Sequence, residues 1–408
     1  MLLFVAARVG SVCAEPSRIG KIRFLGNDVT QEDTMLLEMT VHEGDVINIH
    51  DIEQSVQYIM DLGIFEKISY YLEKNGFDED TDLVIIITEP YYWYVLPTFK
   101  FNDNSELELG ARLRWDNLFG YNHKLVIKAT DKGTDKNVNE YQTEIRYTFP
   151  RFLLSRFSLS LIAKKEQRLD DDNVLGDQQE IKTDFGFNVR KWLNKRGISR
   201  GLYAGLGIDY QQQTNVALSP SGESDGDFDL IFYNFQLGRD RKHKYRYNRG
   251  GDSLDYTLQL SNEVTVQTLT YRRFNILDAD EVKNLNYLIS VGYADGDVLG
   301  NAAFALGGNS TLRGYEKDAF HGNAIVRGSI EYLTKFNNSP LVRKVVFIDA
   351  GDTQDSLSDF SFSSIKVGAG AGIRWKARNF VNLDIRLDIA YGFETQEFRL
   401  VLGSRNTF

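Results

Sequence analysis

Cysteine, proline and histidine are all scarce in this chain: 1, 6 and 5 among 408 residues. One thiol, Cys13, can build neither a disulfide scaffold nor a cysteine-ligated metal site. Long apolar runs are missing too. None reaches the ~18 residues of a membrane-spanning helix. Positive charge is in the minority, with 47 Lys and Arg against 57 Asp and Glu, a formal net charge of -10. Nucleic-acid binders draw affinity from neutralising phosphates, so that partner class is disfavoured. The strings G-x-S-x-G and H-E-x-x-H, paired C-x-x-C and a phosphate loop are all absent. The reading is a protein that is not an enzyme, with no catalytic residues, metal or cofactor.

What is plentiful points to β structure. There are 34 Gly, 21 Tyr and 26 Phe. Many glycines and aromatics with few prolines suit a large, continuously paired sheet. Residues 1–14 read as an export signal, with an apolar stretch at 2–12 and V-C-A before Glu15. A lipoprotein through Cys13 and a buried N-terminal strand are the competing readings.

Residues 17–90 form a small α/β pattern. RIGKIRFLGN (18–27) is a strand ending in a turn. A helix is expected from Thr30, with Met35, Leu36, Met39 and Val41 on its apolar side. A second, near 50–62, places Ile52, Val56, Ile59 and Met60 on one stripe. Strands follow at 64–74 and 83–89. His42 and His50 read as surface residues. "IRFLGN", "EGDVINIHDIE", "IMDLGIFEKI" and "LVIIITE", in that order, resemble a POTRA domain, the polypeptide-transport-associated module. That resemblance implies a periplasmic domain that binds extended polypeptide at a sheet edge.

From Tyr91 to Phe408, alternation with period two dominates. In VNLDIRLDIAY (381–391), Val381, Leu383, Ile385, Leu387, Ile389 and Tyr391 share one face, and Asn382, Asp384, Arg386, Asp388 and Ala390 the other. A soluble sandwich and a membrane barrel both produce this pattern. Count, length and loop asymmetry favour the barrel. Sixteen candidate strands run from 93–101 to 397–403, most reach the ~9–11 residues that a tilted strand needs, and long polar loops lie mainly on one side. The turn RDRKHKYRYNRGG (239–251) is a long exception on the short side. Tyr92, Trp93, Tyr94, Trp115, Phe119 and Tyr121 suit an aromatic girdle.

The string Leu312-Arg313-Gly314-Tyr315 in the longest expected loop resembles the VRGY/VRGF motif of the bacterial outer-membrane surface-antigen superfamily, which includes BamA, TamA and two-partner secretion pores. VVFIDAGDT (345–353) and IKVGAGAGIRWK (365–376) resemble its F-x-D-x-G and G-x-G-I-R-W strands. Leu312 replaces Val, Asn248 stands where a proline is usual, and two extra residues separate Gly403 from the terminal aromatic, Phe408. The fold implied is an all-β transmembrane barrel of 16 antiparallel strands preceded by one POTRA domain. The long loop would fold into the lumen, locked by Arg313, Gly314 and Tyr315 against Glu331 and Asp349, with Gly368, Gly370 and Gly372 leaving it room. Pro97, which lacks an N–H, and the short last strand with Gly403 and Phe408 would make the closing seam weak. The resemblance implies a place in the outer membrane and assembly, insertion or translocation of polypeptides. Partners would be unfolded or nascent outer-membrane or secreted polypeptides, outer-membrane lipid and periplasmic accessory proteins. A two-partner secretion pore, a passive porin-like barrel and lipid delivery remain alternatives. Asp/Glu clusters at 170–172 and 223–229 read as solvated loops.

Overall fold

A computed structural model describes residues 17–74, 80–101, 107–135, 138–170, 177–194, 198–218, 226–296, 302–337 and 339–403. The expected leader, both acidic clusters except for their flanking residues, and Phe408 lie outside the described residues.

The small domain contains β1 (Ile19–Leu25), α1 (Glu32–Leu36), α2 (Ile49–Asp61), β2 (Lys67–Lys74) and β3 (Thr81–Thr88). The sheet order is β1-β3-β2, with β1 parallel and β2 antiparallel to β3. The central strand is the most apolar, and Leu83, Val84 and Ile85 are buried. Asn48 caps α2 by accepting from the His50 amide, and Gly63, at φ +75°, follows its end. Ile52 and Ile59 face the core, each worth about 1.5–3 kcal/mol of burial. The first helix is shorter than its apolar spacing suggested. It stops at Leu36, and Met39 and Val41 reach the same core from irregular backbone, where Ser55 Oγ accepts from the Thr40 amide at 3.0 Å.

The rest of the chain closes on itself. The barrel strands are β4 (Trp93–Phe101), β5 (Leu107–Leu118), β6 (His123–Asp135), β7 (Val138–Phe149), β8 (Phe157–Asp170), β9 (Gln178–Trp192), β10 (Gly201–Ala217) and β11 (Asp227–Asp240). A two-residue piece, β12 (His243–Lys244), precedes β13 (Arg249–Leu260), β14 (Thr265–Ile276) and β15 (Asn284–Asp295). A short hairpin of β16 (Phe304–Leu306) and β17 (Phe320–Gly322) stands apart from the wall. The ring is completed by β18 (Ala324–Phe336), β19 (Ser339–Gln354), β20 (Lys366–Lys376), β21 (Asp384–Gly392) and β22 (Glu397–Gly403), which lies beside β4. Leaving out β12, β16 and β17, sixteen strands form one closed barrel.

Side chains alternate across this wall. Leu206, Ile348, Trp375 and Ile389 are more than half exposed on the outside, a surface that water would not tolerate over such an area. Arg374, Asp388 and Glu331 are buried on the inside. Among the described residues, no helix is long and apolar enough to cross a membrane.

Two expectations about faces are corrected. Val381 and Leu383 are not on the outer face with Ile389. Asn382, at φ +52°, breaks the alternation; β21 begins only at Asp384, and Val381 packs in the small-domain core. Tyr92 joins that core too, and Tyr94 is buried, so neither belongs to an outer aromatic belt. Trp93, Trp115, Phe119 and Tyr121 are exposed.

Candidate functional site

The described part of the segment between β15 and β18 enters the barrel and carries Arg313 to the charged inner face of the wall. Its side chain is fully buried. Nε and Nη2 donate to the two oxygens of Asp349 on β19 at 2.6 and 2.8 Å. Nη1 donates to Glu331 on β18 at 2.6 Å and to Asp388 on β21 at 3.3 Å. The guanidinium lies 3.4 Å over the Phe347 ring. A planar fork with five donors suits this task, because one head group reaches three carboxylates. Arg374 on β20 joins the cluster, pairing with Asp388 and with Glu331 Oε1 at 3.1 Å. Two cations thus meet three anions away from bulk water.

Glycines let the loop backbone approach the wall. A side chain at Gly368 would collide with the Arg313 carbonyl, and one at Gly314 (φ +97°) would come within 2.7 Å of the Gly392 nitrogen. Gly370 and Gly372 make room instead for Phe347 and Asp388. Tyr315 Oη donates to the Val367 carbonyl at 2.8 Å, and Leu312 and Tyr315 pack with Leu306 and Ile325. The loop also reaches the last strand, where Arg399 donates to Glu316 at 2.6 Å. The structure therefore brings Arg313, Gly314, Tyr315, Glu331 and Asp349 together. Arg374 and Asp388 were overlooked as members. Their signal was present: Asp388 lies on the charged face of its strand, and Arg374 is the arginine of the G-I-R-W string.

The seam residues stand elsewhere. Pro97 is opposite Ala111 of β5, and Gly403 is opposite Arg386 of β21. Among the described residues, β22 spans seven, fewer than any other wall strand.

A second polar constellation joins the small domain to the barrel's mouth, and its residues had no motif to mark them. Arg151 donates to Glu38 at 2.9 Å through Nε and 2.5 Å through Nη2, and Glu38 also accepts from the Ser199 amide at 2.7 Å. Burial pushes the Glu38 carboxyl above its ordinary value of 4.5, outweighing the Arg151 charge. Asp61, ending α2, accepts from Arg200 and from the Lys244 amide at 2.8 and 2.7 Å, and sits 2.8 Å from His243 Nδ1. Thr34 donates to the Gly120 carbonyl at 3.0 Å, and Glu66 accepts from Arg378 at 2.6 Å. The long turn after β11 is thus the docking strip for α2. Before β4, Tyr91 is stitched to the turn between β20 and β21. Its amide donates to Asn379 at 2.8 Å, and its carbonyl accepts from Val381 at 3.0 Å.

The Omp85 superfamily domain matches residues 117–406. The chain belongs to the Omp85 superfamily. Residues 17–90 match the POTRA model, described as the surface antigen variable number repeat. Similar solved structures include BamA from Haemophilus ducreyi lacking POTRA domains 1–3, at 15% identity and a TM-score of 0.52, covering 95% of this chain and 83% of that one. CdiB from Acinetobacter baumannii has 13% identity and a TM-score of 0.60, over 95% and 73% of the two chains. CdiB from Escherichia coli has 16% identity and a TM-score of 0.63, over 95% and 75%. At such identities, these likenesses speak for the fold alone. Omp85 barrels sit in the bacterial outer membrane with POTRA domains on the periplasmic side, and family members act as transporters or assembly factors.

Proposed function

We propose that this Omp85 protein lies in the outer membrane with its POTRA domain in the periplasm, and assembles, inserts or translocates polypeptides there. The POTRA domain is the docking module. One observation carries the reading. In the β1-β3-β2 sheet, residues 44–47 bond to the beginning of the outer edge of β1, as Ile19 N does to Asp45 O at 2.8 Å. Beyond β3, β2 has no strand partner among the described residues. An extended client adds to such an edge through main-chain bonds that tolerate many sequences. The short β22 and the amide missing at Pro97 support a seam that parts sideways to admit a strand. The loop held by Arg313 keeps the lumen filled until then.

A photo-crosslinker at Tyr71 on β2, 43% exposed, tests this. Capture of periplasmic polypeptides, together with loss of client export or insertion on deletion of 17–90, is the expected result. A barrel that conducts solute equally well without 17–90, with no client affected, would make it a passive pore. Whether captured clients are secreted or membrane-inserted separates a secretion pore from an insertase.

A further inference from the structure

A cavity of about 490 Å³ lies where the POTRA domain meets the lumen. Its cationic lining comes from separate elements: Arg114 on β5, Lys124 on β6, Arg200 before β10, Lys242 and Lys244 around β12, and Arg249 on β13. The acidic lining is already committed. Glu38 is held by Arg151, Asp61 by Arg200 and His243, Asp240 by Lys242 at 3.1 Å, and Asp384 is engaged as well.

The cations are less well served. Neither Lys124 nor Arg249 has a side-chain hydrogen bond or ion pair with a described residue. Among the described residues, the Lys244 ammonium bonds only neutral oxygens, the Gly63 carbonyl at 2.9 Å and Asn382 Oδ1 at 2.5 Å. These groups also repel one another. Lys244 feels Lys376, Arg249 and Lys124 as like charges against the single carboxylate of Asp384, and Lys124 feels Arg114 and Arg249 against that of Asp116, which is already held by Arg114. Clustered cations with spare donors, held in a half-enclosed space, are stabilised by an anion that offers acceptors in several directions.

We infer that this chamber binds a compact oxyanion of the phosphate type, with Lys124, Lys244 and Arg249 as its donors. A tetrahedral dianion suits donors converging from three elements better than a single carboxylate, which presents only two oxygens in a plane. The same chemistry arises from free phosphate or from the phosphate of a lipid headgroup. The site does not depend on the polypeptide-handling role.

The test is calorimetric titration of the full chain in detergent micelles with inorganic phosphate, at ionic strength fixed by chloride. Saturable one-to-one binding is expected. Lys124→Gln and Arg249→Gln should each weaken it at least tenfold, whereas Lys132→Gln, whose ammonium already pairs with Glu166, should leave it unchanged. Both test substitutions relieve like-charge repulsion, so the heat-modifiable folded form should persist. Each single variant is read separately. Dihexanoyl phosphatidate, kept below its micellar concentration, identifies the source. Tenfold tighter binding than inorganic phosphate assigns the site to a lipid headgroup, and equal or weaker binding assigns it to the free ion. Heat no greater than with chloride alone, or unchanged affinity in either single variant, overturns the inference.

Discussion

Replacing Arg313 by alanine should free the lumenal loop. With Arg313 present, two guanidinium groups face the carboxylates of Glu331, Asp349 and Asp388. Without it, Arg374 still pairs with Glu331 and Asp388, but Asp349 loses both of its fork contacts. Breaking a buried ion pair by removing one partner costs about 3–5 kcal/mol, because the other charge is left stranded. The sixteen-stranded ladder does not depend on this contact, so the cost falls on docking of the loop. At about 1.4 kcal/mol per factor of ten, the released population rises roughly 140- to 3,700-fold. A thiol at Leu312, 1% exposed and adjacent to Arg313, reports that population through its labelling rate by a membrane-impermeant maleimide, with Cys13 replaced by Ser. Arg313→Lys should fall between, since one ammonium cannot span Asp349 and Glu331 together. If Leu312→Cys labels no faster beside Arg313→Ala than beside Arg313, the cluster does not hold the loop.

Other expectations follow from the same contacts. Gly368→Ala should displace the loop as Arg313→Ala does, because its methyl group takes the place of the Arg313 carbonyl; wild-type labelling of the Leu312 thiol would contradict that. Docking of the POTRA domain should respond to pH through Glu38. Its carboxyl ionises above 4.5 when buried, so the docked form holds a proton that the free form has released. Docking should therefore strengthen as pH falls from the raised value toward 4.5, and Glu38→Gln should flatten that slope in thermal melts. Arg151→Ala should loosen docking at neutral pH by about 3–5 kcal/mol, read as faster proteolysis of 17–90. Cysteines that cross-link β4 to β22 should stop client insertion, and full activity in the locked form would exclude a parting seam.

The barrel was legible because its signal repeats. Each of the sixteen strands overlaps a span that alternation marked, since inside and outside differ in polarity along the wall. Arg313, Glu331 and Asp349 could be picked out because a charge confined in a lumen needs partners, and the motif fixed which strands supply them. Alternation misled at 381–383, where the apolar side chains cover another domain and mimic a lipid-facing run. The first helix misled for a related reason: Met39 and Val41 keep helical spacing, but the core takes them up from bent backbone. The mouth contacts of Asp61, Arg200 and His243 were invisible because they join segments more than 130 residues apart without a local pattern.

The stitches at Tyr91 carry a mechanical consequence. They tie the root of β4 to the bend preceding β21. Those two backbone bonds act as a hinge pin at one end of the junction. Separation of β4 from β22 would then start at the rim farthest from the POTRA domain and spread downward like a fan, so an entering strand would first meet a wedge-shaped gap, widest toward the cell exterior.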